Sequence, residues 1–196
     1  FVFNDTAPTH WSHRPFHQHY EDSLRNVEQQ NVLKKRTRLV DMIAFCFMPN
    51  HLHLLLRQRK DIGVTRFMRK FGTGYAKYFN AKYQRQGHLF QERFKAISIR
   101  GEEQLKTVFV YIHTNPVALV DKQWKEGRIE NAQQAIDFVE SYRWSSYADY
   151  IGQKNAPSVT QREFLNEIMN QEAWQEFVND WVMHKTNQHF GSIALE

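Results

Sequence analysis

The chain is short of the residues that build several common kinds of site. It has one cysteine in 196 residues, Cys46. That excludes an intrachain disulfide and any multi-cysteine zinc module. Its eight glycines and five prolines are too few for a low-complexity or collagen-like chain. No apolar run approaches the roughly 18 residues of a membrane-spanning helix. The first residues lack the charged and apolar regions of a signal peptide, so a cytoplasmic protein with no membrane partner is the expectation. There is no glycine-rich phosphate loop, no Gly-x-Ser-x-Gly elbow and no His-Glu-x-x-His helix.

What is present is a core and a positive balance. Hydrophobic residues make up 41% and aromatic residues 14%, enough for one compact domain or a domain with an appendage. The formal charge of +5 and the pI of 9.3 favour a polyanionic partner, a modest signal that many proteins share. Ten histidines say more than the charge does.

Along the chain, Phe1-Val2-Phe3 reads as a strand end. Asp5 to His19, with four histidines and two prolines, reads as a loop, and residues 20–36 as a polar helix. Two apolar runs, Leu39 to Met48 and Leu52 to Leu56, flank Pro49-Asn50 and predict a β-hairpin. Val64, Phe67, Met68, Phe71, Tyr75, Tyr78 and Phe79 recur at helical spacing over 64–83, with Gly72 and Gly74 interrupting the pattern. Phe94 to Ile99 alternates as a short strand does. Residues 102–115 form a helix with Leu105, Val108, Phe109 and Ile112 inside. Pro116 should end it and bias Asn115 away from helical geometry. Thr160-Gln-Arg-Glu163 is a capping-box pattern that should start a helix. Trp174, Phe177, Val178, Trp181 and Val182 mark a last helix. The plan is α+β: a core over 1–120, then a C-terminal helical extension over 121–196 packed on it.

Chemistry begins at His51-Leu52-His53. On a strand the two imidazoles point the same way and can converge on a divalent metal. They can equally be two histidines of a half-exposed strand. The apolar neighbours Phe45, Phe47, Leu54, Leu55 and Leu56 strengthen the metal reading, because polar rings in such a strand need partners. Tyr111 and Asn115, four apart, share a helix face. Tyr111 is either an ordinary half-buried aromatic or a nucleophile helped by a nearby metal. Asn115 is either a C-cap or a metal ligand through its amide oxygen. Arg66, Arg69, Lys70, Lys77, Arg93 and Lys95 lie among aromatics, a texture that suits single-stranded nucleic acid as well as a solvated face. Cys46, in an apolar strand, reads as packed rather than reactive.

Four motifs then occur in order: Met48-Pro-Asn-His-Leu-His-Leu54, Gly87-His-Leu-Phe-Gln-Glu-Arg-Phe94, Tyr111-Ile-His-Thr-Asn-Pro-Val117 and Arg143-Trp-Ser-Ser-Tyr147. Over roughly residues 38–150 the chain resembles the single-tyrosine HUH transposases, in particular the REP-associated tyrosine transposases. The resemblance implies a ferredoxin-like antiparallel sheet flanked by helices. It implies that Tyr111 attacks a phosphodiester of single-stranded DNA next to a hairpin, leaving a 5′-phosphotyrosine and a free 3′-hydroxyl. It implies that His51, His53 and Asn115 bind Mg²⁺ or Mn²⁺. A monomer acting in cis is expected on family grounds, with a dimer as the alternative. A domesticated hairpin-binding protein with little cleavage is the competing function. Residues 1–37 match the pattern weakly.

Overall fold

The computed structural model describes Asn4, residues 37–126 and residues 129–184. The strand end at Phe1–Phe3, the histidine-rich loop and the helix expected over 20–36 lie outside the described residues. Two compact units are distinguished: residues 1–40 with 58–94, and residues 41–57 with 95–196. The fold is α+β, an antiparallel sheet flanked by helices.

The sheet is the expected hairpin. Strand β1 spans Val40–Phe47 and β2 spans Leu52–Gln58. The turn closes through a hydrogen bond from the Met48 amide to the His51 carbonyl, 2.9 Å. Almost every residue of β1 is buried, which explains its unbroken apolar run: a strand covered on both faces shows no alternation. The exception in polarity is Asp41, buried, whose Oδ2 accepts from Arg57 Nη2 at 2.7 Å and Nε at 3.1 Å. Pairing of this kind is what a buried carboxylate requires.

The first unit is dominated by helix α1, Gly63–Lys82. It runs unbroken through Gly72 and Gly74. Side-chain packing four residues apart offsets the low propensity of glycine. Phe67 stacks on Phe71, with centroids 6.0 Å apart, and Phe71 on Tyr75 at 6.2 Å. Gly63 is required where it stands, because a Cβ there would run into the carbonyl of Leu39.

In the second unit helix α2, Glu102–Thr114, presses Leu105, Phe109 and Ile112 of the predicted stripe inward, with Val110 buried beside them and Val108 only half-buried. A 3₁₀ turn, Asn115–Leu119, follows directly, then a second one over Lys122–Glu126. Contrary to expectation, Asn115 keeps helical geometry (φ −52°, ψ −37°), and its amide bonds the Tyr111 carbonyl. The proline ring is accommodated by tightening into a 3₁₀ turn instead of by an extended residue before it. Helices α3 (Ala132–Ser141), α4 (Tyr147–Tyr150), α5 (Glu163–Asn166) and α6 (Gln171–His184) complete the unit. Trp174, fully buried, lies 4.1 Å from the Phe109 ring, so α6 shares its core with α2.

Two local expectations fail. Residues 93–100 form no strand, and of 94–99 only Ile99 is partly covered. Alternation makes a strand only when a neighbour takes up its hydrogen bonds, and among the described residues none does. Helix α5 starts at Glu163, two residues later than a Thr160 cap would start it, and its cap position is Arg162, with no side-chain cap. Thr160 Oγ1 instead accepts from Arg162 Nη1 at 3.1 Å.

Candidate active site

His51 ends the hairpin turn and His53 is the second residue of β2, so the alternation of the strand sends both rings to one side. Their centroids are 4.9 Å apart and their planes stand at 89°. Tyr111, one turn before the end of α2, sets its ring 5.3 Å from His53, at 80°. His53 is therefore the middle ring of three, all within the second unit. Asn115 belongs to the same group, since its side chain acts directly on the His53 ring.

The two imidazoles are in different states. His51 is exposed, and its Nδ1 lies 2.7 Å from Asn50 Oδ1. A carbonyl oxygen only accepts, so Nδ1 carries a proton. His53 is half-buried, and its Nε2 is buried with no hydrogen-bond partner among the described residues. Burial lowers its pKa to about 4; repulsion from a protonated His51 adds to this, and a hydrogen bond with the Asn115 side chain opposes it. His53 is thus a neutral imidazole at neutral pH.

That donor set fits a divalent cation. Imidazoles ligate metals in the neutral form, and an orphaned buried nitrogen is costly unless something binds it. Among the described residues no group of three His, Cys, Asp or Glu side chains gathers as a metal site. The candidate set is two imidazoles and one amide, which would leave positions for phosphate oxygens.

Between Tyr111 and Asn115 lies His113, which the sequence left without a role. It is fully buried, with Nε2 2.8 Å from Ser146 Oγ and its ring 4.2 Å from Phe109. Ser146 Oγ also accepts from the Phe45 amide at 2.9 Å. Cys46 and Ser145 form an isolated antiparallel bridge, the Phe47 amide bonds the Trp144 carbonyl at 2.8 Å, and Tyr142 Oη donates to the Phe47 carbonyl at 2.8 Å. The Arg143-Trp-Ser-Ser-Tyr147 motif thereby zips the second edge of β1 and ties it to α2. The available signal was the pair Ser145-Ser146 beside Tyr147 in that motif.

Of the proposed DNA contacts, Arg66, Arg69, Lys70 and Lys77 lie on α1 in the first unit, with Arg93 on its closing loop, while Lys95 belongs to the second. Tyr75, Tyr78 and Tyr83 also lie in the first unit. Cys46 is buried, and burial pushes its thiol up to about 12, so it is inert.

The family model for IS200-like transposases matches residues 9–115, more than half of the chain and ending on Asn115. The protein belongs to the IS200-like transposase family. No curated protein and no solved structure matches it significantly. Family membership makes it a transposase acting on DNA. No helix of the described residues is long and apolar enough to cross a membrane.

Proposed function

We propose that the protein is a metal-dependent single-stranded DNA endonuclease and strand transferase of the REP-associated kind, with Tyr111 as nucleophile. The observation that carries this is the position of His53, between the rings of His51 and Tyr111 and with a buried Nε2 unpartnered among the described residues. His51, His53 and Asn115 would hold Mg²⁺ or Mn²⁺, which when bound polarises the phosphate oxygens and lowers the cost of their negative charge. The rest is the work of the chain. Helix α2 presents the Tyr111 hydroxyl, and the Asn50 contact fixes the His51 ring. In the step itself a bond forms between Tyr111 Oη and phosphorus as the bond from phosphorus to the 3′ oxygen breaks. The phenol proton leaves to solvent and the departing 3′ oxygen takes one up. One phosphoester replaces another, so attack by a 3′-hydroxyl reverses the step and reseals a strand.

The test is incubation with hairpin-flanked single strands and Mn²⁺, followed by denaturing electrophoresis. A covalent protein–DNA adduct is expected from the wild type and none from Tyr111→Phe. An adduct that survives in Tyr111→Phe assigns the wrong tyrosine. Hairpin binding without any adduct, unchanged by chelation, favours a domesticated hairpin-binding protein.

A further inference from the structure

Residues 58–94 hold nine lysines and arginines against two acidic residues, a formal +7, whereas the whole chain carries +5. Outside this segment the chain is therefore slightly acidic. Its attraction for a polyanion is concentrated in the first unit. The same segment exposes Tyr75, Tyr78, Tyr83, Phe90 and Phe94.

The arrangement on α1 is ordered. At about 100° per residue, Arg66, Arg69, Lys70 and Lys77 fall in one arc, and Phe67, Phe71, Tyr75 and Phe79 in another. Between the arcs run Gly72, Ala76 and Asn80, and the loop Gly87–Phe90 stands over them, leaving an open groove. Asn80 holds that loop, its Nδ2 donating to the Gly87 carbonyl at 2.8 Å. Gly87 turns the chain there with a φ of 89°, which a side chain would resist. The Phe90 ring is 41% exposed and lies 6.2 Å from the Tyr75 ring. A Cβ added at Gly72 would stand 3.8 Å from Phe90, in ordinary contact with the ring, so a larger side chain there would compete for the space beside it.

We propose that this groove is a subsite for one unpaired nucleotide of a DNA strand. Its base stacks on Phe90, and its phosphate lies toward Lys77. Aromatic platforms beside cations take single strands because every base offers a π-face. A double helix offers the charge but keeps its bases stacked inside, and an acidic peptide offers the charge without flat rings. The inference rests on the single-stranded DNA reading above and adds which surface recognises the unpaired strand.

The experiment uses the full chain and fluorescence anisotropy on a labelled oligo(dT) of about 12 nucleotides, within the usual single-strand site sizes, and on a duplex of equal length. Phe90→Ala removes the platform, and Gly72→Leu fills the groove while leaving every charge in place. Each is expected to weaken oligo(dT) binding about tenfold, the loss of one base stack, with duplex binding changed less than about twofold. If Phe90→Ala does not fold, Gly72→Leu carries the test, since leucine suits an α-helix better than glycine. Wild-type affinity for oligo(dT) retained in Gly72→Leu overturns the subsite and leaves the DNA reading standing. A wild type that binds no oligo(dT) overturns both.

Discussion

His113 Nε2 lies 2.8 Å from Ser146 Oγ, and both residues are fully buried. The pair joins helix α2, which carries Tyr111, to the segment that closes the edge of β1. Through Ser146 Oγ the contact continues to the Phe45 amide at 2.9 Å. The ring geometry around His53 depends on β2 and α2 keeping their places, and this buried bridge is one device that holds α2 to the hairpin.

Ser146→Ala should therefore destabilise the protein. It deprives His113 Nε2 and the Phe45 amide of a shared partner. Each buried polar group left unsatisfied costs about 1–3 kcal/mol, so a loss of about 2–6 kcal/mol is expected. Urea denaturation reads it as a fall in midpoint with little change in slope. An unchanged midpoint would show that water replaces the hydroxyl.

Acid should destabilise the protein well before carboxylates titrate. Burial lowers the pKa of His113 to about 3, opposed by the backbone of Phe109, and that of His53 to about 4. Unfolded histidines titrate near 6.5. Below that pH the unfolded chain binds protons that the folded chain refuses, so stability is complete above about pH 6.5 and falls on acidification toward the folded values. A fully refused proton contributes a slope of at most about 1.4 kcal/mol per pH unit. Urea midpoints from pH 7.5 to pH 5, measured with chelator, should show this fall. His113→Phe, which keeps an aromatic ring beside Phe109, should flatten it.

Mn²⁺ should raise the melting temperature of the protein without any DNA. At a hundredfold excess over the dissociation constant, binding to the folded state alone adds about 2.7 kcal/mol. His53→Ala should abolish the shift, and His51→Ala and Asn115→Ala should reduce it. A shift of equal size in all three variants would place the ion elsewhere. The affinity should also weaken as pH falls, since protons compete for the imidazoles.

Trp174→Ala tests how far the last helix supports the site. Trp174 lies 4.1 Å from the Phe109 ring and is fully buried. Truncating a buried tryptophan costs about 3–5 kcal/mol. The expected result is a large fall in urea midpoint, with loss of adduct formation at temperatures where the wild type still cuts. A variant as stable as the wild type would show α6 to be dispensable for the unit that carries Tyr111.

The sequence by itself determined the parts that depend on periodicity. The hairpin, the long α1 helix, the stripe of α2 and the rows of Trp174, Val178 and Val182 are all local patterns, read from spacing alone. Strand alternation also put His51 and His53 on one side, and the helical repeat put Tyr111 above Asn115. Only tertiary structure decided that the His53 ring meets the Tyr111 ring, because contact between β2 and α2 depends on how a strand and a distant helix pack, which no local repeat encodes. The same holds for residues 94–99, whose alternation found no neighbouring strand among the described residues, and for His113, which looks like a site residue in the motif and is buried against Ser146. Asn115 shows the reverse. Its local signal, a following proline, pointed away from helix, and the continuous turn into Asn115–Leu119 overrode it, keeping the Asn115 side chain beside the His53 ring.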